Sequence, residues 1–243
     1  MPAITANSVL PANRTPITLT TTDGLTLIGE LASPENPEAT IICVHPLPTH
    51  GGMMDSHIFR KMSWRLPALA NIAIIRFNTR GTTSAAGTSD GSFDNAEREG
   101  LDLQAAISFA VERGLPNIWV IGWSFGTDVI LKNLSFDQIC GVVLLSPPLR
   151  FTSVEELTRW NDTGVEVVAL IPEHDDYLPP TQAIERFSIA ADVSVEAVPG
   201  AKHLWVGEKF VSIVLNRVVQ LVAPAHYPLP TDWDGPMERW NDL

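Results

Sequence analysis

Six short runs of β-favouring residues, most of them apolar throughout, set the tightest limit on how this chain folds. They cover residues 40–45 (TIICVH), 72–77 (IAIIRF), 118–122 (IWVIG), 142–146 (VVLLS), 165–171 (VEVVALI) and 193–198. A strand with one wet face alternates apolar and polar residues, and most of these runs leave little polar surface for water. They predict strands covered on both faces, as in a parallel sheet. Residues 55–69, 96–113, 125–134, 154–160, 181–190 and 205–222 lie between or after them and suit helices. Such alternation implies a mostly parallel α/β sheet of eight strands, with helices on both faces and right-handed crossovers. Two of the eight come first: residues 16–22 and 25–31 alternate across Asp23-Gly24, which predicts an antiparallel hairpin. Residues 1–15 read as an irregular leader and residues 223–243, rich in Pro and Trp, as an irregular tail. One domain spans residues 1–243.

Charge narrows the function. Acidic residues outnumber basic ones 28 to 16, for a net charge of −12. Nucleic-acid backbones and anionic membranes repel such a chain, and no Lys/Arg run offsets this. No apolar stretch approaches the roughly 18 residues of a membrane span, and the N-terminus lacks the basic start and apolar core of a signal peptide. A soluble cytoplasmic protein is the expectation. Cys43 and Cys140 both lie in apolar runs and read as buried thiols rather than a disulfide. No CxxC, HExxH, G-x-G-x-x-G or P-loop spacing is present, so neither a metal nor an organic cofactor is expected. The sequence does not fix the oligomeric state.

The chemistry concentrates in residues 118–128, IWVIGWSFGTD. An apolar strand runs into Gly122-Trp123-Ser124-Phe125-Gly126, and a helix follows at once, which is the setting that gives G-x-S-x-G its meaning. So tight a turn pushes the Ser124 hydroxyl beyond the sheet edge, and glycines on either side let strand and helix approach. A serine hydroxyl needs a base, and the base needs an orienting acid. Both follow on loops after later strands, where catalytic groups of open α/β sheets collect. Asp175 or Asp176 comes just past 165–171, and His203 past 193–198.

Together these motifs resemble a small α/β-hydrolase over roughly residues 16–222. Residues 172–179 are similar to the family's G-x-x-D-x-x-x-P acid loop, with Pro172 in place of Gly, and this implies Asp175 as the acid. Gly200–His203 resembles its G-x-x-H segment, implying His203 as the base. The loop His45-Pro46-Leu47-Pro48-Thr49-His50-Gly51-Gly52 resembles the His-Pro-His-Pro-x-x-Gly-Gly opening of a lidless subgroup, with Leu47 replacing the second His. Two N–H groups should form the oxyanion hole, from Phe125 and from Leu47, since Pro46 and Pro48 have none. Arg76-Phe77-Asn78-Thr79-Arg80-Gly81 resembles a structural turn of the same subgroup, with Arg80 as a buttress.

The resemblance implies a serine esterase working through Ser124, Asp175 and His203 on a small acyl substrate, and the acidic charge of the chain favours an uncharged one. Thioesters and amides would use the same groups. Trp123, Leu204 and Trp205 stand beside them in sequence as candidate pocket residues. Residues 149–164 leave room for one short helix and no large lid, so the site is expected to be open, or closed by the tail or a second subunit. Five histidines (45, 50, 57, 174 and 203) gather on or near the same loops without a metal-ligand spacing. A hydrolase-fold protein that binds without turnover is the competing class, but binding alone does not require a complete triad.

Overall fold

A computed structural model describes residues 1–240. In chain order its strands are β1 (Ser8–Val9), β2 (Asn13–Thr20), β3 (Thr26–Ser33), β4 (Ala39–Val44), β5 (Ile72–Phe77), β6 (Thr83–Ser84), β7 (Gly87–Thr88), β8 (Ile118–Trp123), β9 (Ile139–Leu145), β10 (Glu166–His174), β11 (Val193–Lys202) and β12 (Glu238–Arg239). The helices are α1 (His57–Ala70), α2 (Glu99–Glu112), α3 (Phe125–Asn133), α4 (Val154–Thr158), α5 (Pro180–Phe187) and α6 (Glu208–Val222).

Eight strands form one sheet in the order β11-β10-β9-β8-β4-β5-β3-β2. The β2–β3 and β3–β5 pairings are antiparallel and all others parallel. The apolar runs are central: every residue of β4, β5 and β8 is buried. Side chains alternate across each strand, so each run feeds two cores. Ile42, Val44 and Val120 pack with α2 and α3 on one face. Ile41, Cys43, Ile121 and Trp123 pack with α1 and α6 on the other.

Several expectations need correction. The leader and tail are not simply irregular: β1 pairs antiparallel with β12, and Ala3 bridges Asp232. Trp240 packs against Trp64 with ring centroids 5.3 Å apart, and the Arg60 guanidinium lies over both rings. Residues 241–243 of the expected tail lie outside the described residues. Cys43 is buried, but Cys140 is exposed near the start of β9, where the strand has only begun to enter the sheet. The last helix starts at Glu208 rather than at residue 205, because Trp205 adopts a φ of +51° and Gly207 one of +104°. Among the described residues no helix is long and apolar enough to cross a membrane.

Candidate active site

The parallel strands β4, β8, β10 and β11 end on one side of the sheet, and the candidate residues stand at those ends. Ser124 is the entire connection between β8 and α3. Its φ of +52° and ψ of −119° are strained for any residue with a side chain. The turn closes because helix and strand nearly touch. A Cβ on Gly126 would lie 2.0 Å from the Val44 carbonyl oxygen, and one on Gly122 would lie 2.7 Å from the Gly126 carbonyl carbon. The Ser124 N–H donates to the Leu145 carbonyl at 2.8 Å, and its own carbonyl accepts from the Thr127 N–H and hydroxyl at 2.8 and 2.6 Å.

From this turn a hydrogen-bonded chain runs inward. His203 Nε2 lies 2.9 Å from Ser124 Oγ, and its Nδ1 lies 2.8 Å from Asp175 Oδ2. The other oxygen of Asp175 accepts the N–H groups of Tyr177 and Leu178 at 2.9 and 3.1 Å. Burial on its own would push this carboxyl's pKa up. The hydrogen bond and charge of His203, with the two N–H donors, outweigh burial and hold it below the ordinary value. Asp176 is exposed and makes no such contact; of the two neighbouring acids, the fold brings Asp175 to the imidazole.

The loop after β4 faces this chain. His45 is fully buried; its Nδ1–H donates to the Pro46 carbonyl at 2.6 Å and its Nε2 accepts the Thr79 N–H at 3.0 Å. Burial lowers its pKa to about 4, so the ring stays neutral and can hold both bonds at once. It thereby ties the loop to the turn at residues 78–81. Arg80 in that turn is clamped by Asp102 and Asp23, a buttress as the sequence implied. Beyond Pro46, the Leu47 N–H has no acceptor among the described residues, and Leu47 lines the same cleft as Ser124. Phe125 heads α3, where no preceding turn offers its N–H an acceptor.

The cleft above Ser124 is walled by Pro46, Leu47, Phe125, Pro148, Phe151, Tyr177 and Leu204, with His50, Asp128 and Arg150 also contributing. Of the three sequence candidates for the pocket, Leu204 lines it and is 56% exposed. Trp123 and Trp205 do not. Both are buried in the core on the α1–α6 face. Trp123 ends β8 with its side chain opposite the Phe125 core, packed edge-on against His57 and Phe59. Its indole N–H and the Ser146 hydroxyl each donate to the His203 carbonyl at 3.1 Å, while His57 Nε2–H donates to the Leu204 carbonyl at 2.7 Å. The carbonyls of His203 and Leu204 are thus held by three side chains.

Sequence reasoning missed Tyr177, whose ring lies 4.5 Å from that of His203, and Phe151, Arg150 and Asp128 of the cleft wall. Asp128 carried a readable signal: it is an acid one turn past Ser124 in an otherwise apolar stretch. The 146–165 connection holds only the five-residue α4. None of residues 223–240 lines the cleft, so the tail does not close it. Among the described residues no three His, Cys, Asp or Glu side chains converge as a metal site.

No protein-family model and no curated protein matches the sequence. Solved structures do match. An α/β serine hydrolase without a lid from Xanthomonas campestris is 24% identical, with a TM-score of 0.68 over 90% of this chain and 98% of that one. The fold is that of the α/β-hydrolases. A serine hydrolase homologue from Coxiella burnetii shares this hydrolase fold at 22% identity and a TM-score of 0.69, over 86% of this chain and 97% of its own. An esterase from Pyrococcus furiosus does so at 19% identity and 0.68, over 87% and 94%. In this chain the connection between β9 and β10 carries no lid domain.

Proposed function

We propose that the protein is a serine hydrolase that cleaves small uncharged carboxylic esters through an acyl-enzyme. The observation that carries this reading is the unbroken chain Asp175–His203–Ser124, which opens into an apolar cleft beside two unpaired N–H groups. As Ser124 Oγ attacks the ester carbonyl carbon, His203 Nε2 accepts its proton and the carbonyl oxygen becomes an oxyanion. The Leu47 and Phe125 N–H groups receive that oxyanion. Its collapse expels the alcohol, which takes the proton from His203. A water then attacks the acyl group and gives its proton to His203; the acid leaves as that proton returns to Ser124. Throughout, Asp175 stays ionised, orienting the imidazole and stabilising its charged form.

The apolar walls and the net charge of −12 favour an uncharged substrate. An esterase among the similar structures is consistent with the ester bond. The test is release of p-nitrophenol from short acyl esters by the purified protein, and its loss in a folded Ser124→Ala variant. Equal turnover in that variant would remove Ser124 from the reaction. A fluorophosphonate probe separates an enzyme from a binder: labelling at Ser124 is expected, and an unlabelled, folded protein would favour binding alone. Thioesters and amides with matched acyl groups rank the leaving group in the same assay.

A further inference from the structure

Tyr177 touches both members of the Asp175–His203 pair. Its N–H donates to Asp175 Oδ1 at 2.9 Å, and its ring lies 4.5 Å from the His203 imidazole, tilted by 57°. Edge-on aromatic pairs among the described residues stand 5.0–6.4 Å apart, so these two rings are closer than a perpendicular edge contact. Core packing does not account for the contact. Leu178 turns into the core, whereas Tyr177 is 61% exposed and lines the cleft that holds Ser124. The loop after β10 thus sends its aliphatic side chain inward and keeps the aromatic one beside the imidazole.

In the proposed reaction His203 carries a positive charge twice per turnover, once in each half-reaction. The face of a tyrosine ring has negative electrostatic potential and attracts a cation within about 6 Å of its centre. Neutral imidazole gains less from such a face. The contact is therefore worth most once the proton has moved to His203, and an interaction that strengthens at that point lowers the barrier. We infer that Tyr177 is a positioning residue for His203, whose ring holds the imidazole and stabilises its charged form. Its N–H meanwhile steadies the carboxylate that balances the same charge. Every substitution except proline keeps that N–H, so a change of side chain isolates the ring.

The inference rests on the ester-hydrolase reading, and its first test needs no turnover. Tyr177→Leu keeps an apolar cover over the imidazole and removes the aromatic face. The pH midpoint of the His203 ring-proton shifts in NMR should fall by about 0.4–0.7 in this variant and stay in place in Tyr177→Phe. An unmoved or raised midpoint in folded Tyr177→Leu would overturn the inference, whatever the activity of the chain. In hydrolysis of p-nitrophenyl acetate, kcat should fall about two- to fivefold in Tyr177→Leu with KM nearly unchanged, and Tyr177→Phe should retain most of it. Phenylalanine carrying one, two or three ring fluorines at position 177 draws charge off the face at nearly constant size. Both kcat and the midpoint should then step down along the series; equal values would assign the contact to packing alone and overturn the inference. No turnover by the unmutated chain would sink the ester-hydrolase reading, and the NMR midpoints would still decide whether Tyr177 stabilises the charged imidazole.

Discussion

Trp123 donates its indole N–H to the backbone carbonyl of His203 at 3.1 Å, although 80 residues separate them. The residue before Ser124 thus ties down the loop that carries His203, so the spacing of the two depends in part on one strand end. Trp123→Phe keeps the ring packing and removes this bond, while Ser146 still holds the carbonyl. One net hydrogen bond is worth about 0.5–1.5 kcal/mol, so kcat should fall about 3- to 10-fold with KM nearly unchanged. Adding Ser146→Ala should deepen the loss in kcat. Steady-state kinetics on p-nitrophenyl acetate reads both, and an unchanged kcat in the double variant would refute the positioning role.

The two neighbouring acids should behave very differently. Asp175→Asn leaves His203 without an acceptor that orients and charge-balances it, and kcat should fall by about 10³–10⁴-fold. Asp176→Asn should change it less than about threefold, since its side chain is exposed and does not touch the imidazole. Acid stability supplies a second readout. Because the folded pKa of Asp175 is depressed, its contribution is fully present above the ordinary carboxylate value near 4 and is lost as pH falls through the lower folded value. The stability difference between the unmutated chain and Asp175→Asn should therefore shrink from about pH 6 to about pH 3, as followed by urea unfolding.

Gly126→Ala tests the packing that makes the Ser124 turn. The added methyl would meet the Val44 carbonyl oxygen at 2.0 Å, a backbone atom that no side-chain rotation can relieve. Either β4 or α3 must move. The variant should lose about 3 kcal/mol or more of stability in urea, and its turnover should fall with it as the Leu47 and Phe125 N–H groups separate. A fully stable, active variant would show that strand and helix are not so close.

Arg80 and Asp102 form a buried ion pair, with Nη2 2.7 Å from Oδ1 and the Arg80 N–H 2.8 Å from Oδ2. Removing one partner strands the other charge. Arg80→Met should cost about 3–5 kcal/mol in thermal or urea unfolding, whereas Arg80→Met with Asp102→Leu should recover part of that loss. Activity should follow stability in both, because this pair supports the turn at residues 78–81 and neither residue lines the cleft.

Local pattern carried much of this in the sequence. Runs such as 118–122 specified central strands because a strand covered on both faces keeps little polar surface. The Ser124 turn was readable because its geometry demands glycine at 122 and 126. Side-chain direction was not readable from adjacency: Trp123 is next to Ser124, but neighbours at a strand end point to opposite faces, so the tryptophan entered the core. Cys140 misled because its apolar neighbours lie mostly after it, deeper in the sheet. The β1–β12 pairing joins two-residue segments some 230 positions apart, Ser8 with Arg239 and Val9 with Glu238, too short to leave a periodic signal.

The φ of +52° at Ser124 sets folding against chemistry at a single residue. Held in such a conformation, a residue with a side chain is strained by about 1–3 kcal/mol, a strain that glycine largely escapes. Ser124→Gly should therefore yield a firmer protein with no reaction to perform. A search for thermal robustness alone would be drawn to this position and would discard the proposed nucleophile. What keeps serine there is its hydroxyl, presented by a backbone that every neighbouring strand and helix has to hold in place.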